Sequence, residues 1–171
     1  MKKITIILTA FALMVITSCK KDSNPANMSV YLQDAPASGI EKIKVELKAI
    51  EIYSDVDGAW VTLTVNNTVY DLLTLDSIHP AFLGKMTLRG GTISQIRLVI
   101  GTQNTVLVGG IEHPLLLDPA DLDKLKISVK ENIKDGTSYK LTIDFKASES
   151  IHEDSGTYSL KASLKMTVKE I

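Results

Sequence analysis

A two-residue apolar period runs through most of the chain after Met28. A chain patterned in this way folds into strands with one face buried, because successive strand side chains point to opposite faces. Met28, Val30 and Leu32 alternate with Ser29, Tyr31 and Gln33. Ile43, Val45 and Leu47 alternate with Lys44, Glu46 and Lys48, and then the parity flips to Ile50 and Ile52. A flip without a turn signal predicts a β-bulge near Ala49. A helix over 41–53 is the alternative, since Glu and Lys form helices well, but the alternation and three isoleucines favour strand.

The pattern continues. Asp55-Val56-Asp57-Gly58 predicts a turn and Trp60 to Val65 a strand; Asn66-Asn67 predicts a second turn before Val69 to Leu73. Residues 76–91 are less regular and end in Gly90-Gly91. Ile96, Leu98 and Ile100 alternate again. Thr105 to Val108, Gly109-Gly110 and Ile111 to His113 make the clearest hairpin signal, because Gly-Gly accepts positive φ at both turn positions. Leu125, Ile127 and Val129 form another alternating set, as do Leu141, Ile143 and Phe145. Tyr158, Leu160, Ala162, Leu164, Met166 and Val168 give the longest run. The reading is all-β: an antiparallel β-sandwich of roughly ten strands with no long helix. Alternating lysines on the last strands read as a solvated sheet face that also discourages edge pairing.

The 171 residues suit one domain. A net charge of -1 provides no basic footprint for nucleic acid. A single Cys leaves no intrachain disulfide and no Cys-based zinc site.

That Cys stands at the end of an apolar N-terminal stretch. Lys2 and Lys3 precede Ile4 to Ile16, a basic region and an apolar region of signal-peptide length, shorter than a membrane span. Ile16-Thr17-Ser18-Cys19 resembles the lipobox of bacterial lipoproteins, which implies cleavage between Ser18 and Cys19 and lipidation of Cys19, palmitate included. The expected organisation is a signal peptide over 1–18, a lipidated Cys and polar tether over 19–27, and one domain over 28–171. Each buried acyl CH₂ contributes roughly 0.8 kcal/mol, so more than one chain makes a lasting anchor. The implied location is the outer membrane, with the domain facing the periplasm or the cell surface. The Lys/Asp-bearing start of the tether is similar to the surface-export signal of Bacteroidetes lipoproteins, with one acid, Asp22, where two are usual.

Several segments occur in a familiar order. Ser29 to Ala37 (SVYLQDAPA) comes first, followed by Val45 to Ile52 (VELKAIEI), Trp60 with Leu63, and Tyr70 to Leu75 (YDLLTL). Ile93 to Val99 (ISQIRLV), Leu125-Lys126-Ile127, Ile143 to Ile151 (IDFKASESI) and Tyr158-Ser159-Leu160-Lys161 complete it. Together they resemble domain of unknown function 4382, a family common among Bacteroidetes lipoproteins, over about residues 28–168. The resemblance implies an extracytoplasmic β-sandwich and supplies no activity; the sandwich expected from the strand pattern is immunoglobulin- or transthyretin-like. One departure is Asp118-Pro119-Ala120-Asp121-Leu122-Asp123, where the family would carry a Pro-Ser-Gly-type segment.

Candidate sites are few. Asp118, Asp121 and Asp123 have calcium-like oxygens but no calcium-loop spacing, and a polar turn capped by Asp118 accounts for them. A hairpin turn likewise accounts for Asp55-x-Asp57-Gly58. His79, His113 and His152 lack zinc-ligand spacing, and no Gly-x-Ser-x-Gly elbow is present. Trp60, Tyr53 and Tyr70 are the candidate ligand surface for a sugar ring, with a core role for Trp60 as the alternative. Asp34 and Asp144 read as turn caps. Asp76-Ser77-Ile78 is similar to the Bacteroidetes O-glycosylation acceptor, which would modify Ser77. No cofactor is expected and no catalytic residue stands out. The functional expectation is a lipid-anchored envelope module that binds a glycan or protein. The alternatives are a surface-fibre subunit and a carboxylate-dependent hydrolase.

Overall fold

The computed structural model describes residues 24–34, 37–65, 69–117, 125–161 and 163–171. Cys19, Ser18, Asp118, Asp121 and Asp123 lie outside them, and the readings placed on those residues stay with the sequence. The strands among the described residues are β1 (Ala26–Gln33), β2 (Lys42–Ser54), β3 (Ala59–Thr64), β4 (Val69–Asp71), β5 (Ala81–Leu88), β6 (Gly91–Ile100) and β7 (Thr105–Val108). Then come β8 (Ile111–Leu117), β9 (Lys126–Ile133), β10 (Ser138–Asp144), β11 (Ile151–Asp154), β12 (Thr157–Leu160) and β13 (Lys165–Glu170). Single helical turns stand at Leu72–Thr74 and Ala147–Ser150.

The strands form two sheets. The smaller has the order β13-β10-β1-β5. The larger runs β11-β12-β8-β7-β2-β6-β9, with β3 and β4 also paired to β2. The sandwich expectation holds, and the sheets are mixed: β1 lies parallel to β10 and β12 parallel to β8. Between the sheets sits one apolar cluster. Met28, Val30 and Leu32 of β1 and Leu141 and Ile143 of β10 meet Ile43, Val45, Ile50 and Ile52 of β2 and Ile96 and Leu98 of β6. The space among Leu32, Val45, Leu72, Leu98 and Phe145 is too small for a water molecule. A core filled to this density loses dispersion contacts with any side-chain truncation.

The thirteen strands among the described residues exceed the expected ten by β5 and β11, which the sequence pattern does not mark, and by the division of the run from Tyr158 to Val168 into β12 and β13. Along β2, Lys44 pairs with Thr105 of β7 and Leu47 with Ile100 of β6, so β7 and β6 take successive segments of one strand. Strands β4 and β3 do the same, through Glu46 with Val69 and Ala49 with Thr64. The β2–β6 register shifts between Leu47 and Ala49, where the parity flip predicted a bulge. A bulge of this kind lets one strand serve two ladders at a bend.

Two regions depart from the sequence reading. Ala81–Leu88 is a full strand despite its irregular pattern. Its register against β1 shifts between Val30 and Tyr31, opposite Gly84, so Leu83 and Met86, three apart, both face inward. The apparent long run from Tyr158 to Val168 is two strands in different sheets. The crossing is pinned by buried Ser150, whose carbonyl accepts from Lys161 N–H (2.8 Å) and whose hydroxyl accepts from Ser163 N–H (2.8 Å). The expected hairpin at Gly109-Gly110 forms, with φ of 57° and 76° and Val108 opposite Ile111.

Candidate functional site

The second half of β2 buries Ile50 and Ile52 and so turns Glu51 and Tyr53 outward. Pairing then sets their neighbours. Tyr53 lies opposite Trp60 on β3 and Gln95 on β6, and Gln95 lies opposite Ser128 on β9. In the next row Glu51 lies between Thr62 and Arg97, and Arg97 is opposite Lys126. Trp60, half-buried, stands edge-on to Tyr53 with ring centroids 5.3 Å apart. The Arg97 guanidinium lies 4.2 Å from the Trp60 ring centroid, and its Nε donates to Glu51 Oε2. Thr62 Oγ1 donates to the other Glu51 oxygen at 3.4 Å. The result is an aromatic platform on a sheet face, with one indole, one phenol and a stacked guanidinium whose charge Glu51 already balances. Such a surface offers π-faces and polar edges to a flat, hydroxylated ligand.

Trp60 is therefore on the outer face and not in the core. Tyr70 is the correction to the candidate surface: it is buried, on the inward side of β4, between half-buried Val69 and Asp71. Burial raises its phenol pKa above the ordinary 10.0, as expected when the charged form is desolvated.

The remaining candidates are structural where they are described. Ser54 Oγ donates to Asp57 Oδ2 (2.9 Å) and Arg89 Nη1 to Asp57 Oδ1 (2.7 Å). These two bonds, that of Ser54 first, hold the Asp57 carboxyl below the usual range. Asp55 accepts from Ser94 Oγ on β6 at 2.5 Å, so the carboxylates of this turn brace it internally and against Arg89 and β6. Among the described residues no three His, Cys, Asp or Glu side chains group in a way that would hold a metal. His113 packs against Tyr158, with centroids 4.9 Å apart, and His79 beside Asp76, so the histidines do not converge. Asp144 Oδ1 accepts from Lys146 N–H (3.3 Å) within a local turn, whereas Asp34 Oδ1 accepts from Ala147 N–H (2.9 Å), a bond between distant parts of the chain and not a cap of its own turn. Ser77 and Ile78 are exposed on a loop whose shape Asp76 sets by accepting from His79 N–H (2.6 Å) and Ile78 N–H (2.7 Å). Those bonds lower the Asp76 pKa.

One feature escaped the sequence. Glu46 is buried at the bend of β2, and its Oε2 accepts from the N–H groups of Thr102 (2.7 Å) and Gln103 (2.9 Å). Its own N–H donates to Asn104 Oδ1 (2.8 Å), and its carbonyl accepts from Gly101 N–H (2.7 Å). Gly101 has no alternative here, because a Cβ would lie 2.0 Å from Glu46 Oε2. The carboxylate thus closes the gap between β6 and β7 and holds the bend of β2, the strand that further along carries Glu51 and Tyr53. In sequence Glu46 passes for one more outward residue of an alternating strand.

A family model described as Domain of unknown function (DUF4382) matches residues 25–162. No curated protein matches the chain. Among solved structures, a "putative cell adhesion protein" from Bacteroides eggerthii is similar at a TM-score of 0.39 and 14% identity. The match covers 85% of this chain and 55% of that one, so the chain spans about half the length of that protein.

Proposed function

The chain belongs to the DUF4382 family, and on that premise we propose that it is a binding module of the bacterial cell envelope that presents the Trp60–Tyr53–Arg97 platform to a glycan. The observation that carries this reading is the platform itself. An indole, a phenol and a guanidinium share one outward sheet face, with Glu51 balancing the charge. Binding without chemistry is the role assigned, since the carboxylates described above are engaged in turns, clamps and a bond between distant parts of the chain. The Ile16-Thr17-Ser18-Cys19 pattern supports an anchor on Cys19 in the outer membrane, and the exposed Ser77 loop suits O-linked modification.

The test is retention of the full-length chain, purified in detergent, on an array of neutral oligosaccharides. At least one should retain it, and Trp60→Ala should weaken that binding about tenfold or more, as for a central aromatic anchor. Retention of nothing, or equal retention of Trp60→Ala, overturns the reading. Cys19→Ala should abolish labelling by radioactive palmitate. Proteinase K treatment of intact cells separates a surface-exposed domain, which is degraded, from a periplasmic one, which is protected.

A further inference from the structure

The outer face of the four-stranded sheet has a different chemistry. Pairing places Lys169 of β13, Lys140 of β10, Ser29 of β1 and Lys85 of β5 in one row across it. Thr167, Thr142, Tyr31 and Phe82 form the next row. Adjacent strands lie about 4.8 Å apart, so Lys140 and Lys169 are neighbours and Lys85 stands about 10 Å from Lys140. Gln33, Lys140, Thr142, Thr167 and Lys169 line a groove of about 260 Å³. Each lining side chain carries at least one hydrogen-bond donor. Among the described residues none of the five makes a side-chain hydrogen bond or ion pair. Lys140 Nζ is instead 4.6 Å from the Tyr31 ring centroid, and Tyr31 packs on half-exposed Phe82 at 5.3 Å. The two rows carry no acid; Asp144 stands in the row after them, between Gln33 and Lys165, and Glu170 at the edge is paired with Lys134.

We propose that this face binds an acidic polysaccharide, with carboxylate-bearing sugar residues held by Lys140 and Lys169 and flanked by Tyr31 and Phe82. Two ammonium groups, two hydroxyls and an amide that converge on one groove match a carboxylate and its neighbouring hydroxyls. A membrane surface is the less favoured occupant, because Phe82 lies against Tyr31 and the donors line a recess. The site is separate from the Trp60 platform and does not depend on it.

The experiment uses the full-length chain in detergent with polygalacturonate as the probe and its methyl-esterified form as the uncharged control. Binding to polygalacturonate at low salt should weaken as salt rises, because exposed charges are screened. The Lys140→Gln/Lys169→Gln double variant should bind about tenfold more weakly, the loss expected for two exposed charge contacts. Lys140→Arg/Lys169→Arg should retain binding, and Trp60→Ala should leave it unchanged. No binding at low salt, equal binding to the esterified polymer, or an unaffected Gln double variant overturns the proposal. So does preference for phosphatidylglycerol over phosphatidylcholine vesicles without polymer binding, which would reassign the face to a membrane.

Discussion

The two outer faces of this sandwich are built from the same strand geometry and do opposite things with charge. On the larger sheet, Arg97 is stacked on Trp60 and paired with Glu51, and Thr62 completes the carboxylate. On the smaller sheet, Lys140, Lys169 and Lys85 have no carboxylate partner among the described residues. A surface whose ions are already satisfied offers shape and π-faces, and salt has little left to screen. A surface whose cations are unpaired offers charge, and its affinity follows ionic strength. The supports differ too. The platform rides on a bent strand held by a buried carboxylate, whereas the basic face lies on a four-stranded sheet that makes no use of Glu46.

Gly101→Ala separates these supports most sharply. The added methyl meets the Glu46 carboxylate, which two backbone N–H groups hold in place, so the clamp must open. Overpacking of this kind costs about 1–3 kcal/mol, measurable by urea denaturation. Native-state hydrogen exchange should show protection falling first in β2 and β6 and later in β1 and β10. An equal fall in both sheets would mean that the bend does not belong to one face.

Acid is a milder way to open the same clamp. The N–H of Gln103 holds the Glu46 carboxyl below its ordinary 4.5; burial opposes this, and Thr102 N–H and Lys48 add to it. The sign follows from proton binding. Between the lowered folded value and 4.5 the unfolded chain takes up the proton more readily than the folded one. The contribution is therefore complete above pH 4.5 and is lost as pH falls through the folded value. Asp57, Asp76, Glu112 and Glu149 are also lowered, so the difference between wild type and Glu46→Gln isolates this group. The variant should be less stable at neutral pH, and the gap should close in acid. Acid-melting curves that stay parallel through this range would remove Glu46 from the bend's account.

Much of this architecture was legible in the alternation. Met28, Val30 and Leu32 fall on the core side as their spacing requires, and the flip after Leu47 marked a real bulge. Local signals failed where the determinant was distant. Leu83 and Met86 broke the period because Gly84 sits at a register shift against β1, a strand about fifty residues earlier. The run from Tyr158 to Val168 kept its parity across a change of sheet, which hydrogen bonds to Ser150 enforce and no pattern records. Tyr53 and Trp60 could be joined through a predicted turn, but Arg97 reaches them only through the β2–β6 register. Tyr70 carried no such signal, since apolar Val69 beside it competes for the inward side and only the pairing of β4 with β2 decides between them. The basic face needed the pairing of β10 with β13 before Lys140 and Lys169 became neighbours.

The smallest expected effect asks whether Arg97 belongs to the platform or only supports it. Arg97→Lys keeps the positive charge opposite Glu51 but gives up the planar group that lies over Trp60. The half-exposed position predicts a stability change within about 0.5 kcal/mol. Loss of the stack should weaken glycan binding about two- to fivefold, the share of an exposed cation–π contact. Added salt should change that ratio little, because both variants carry the same charge. A loss as large as that of Trp60→Ala would make the guanidinium a direct ligand of the sugar. Wild-type glycan binding that weakens steeply as salt rises would show that the platform, like the opposite face, reads charge, and the distinction between the two faces would then rest on geometry alone.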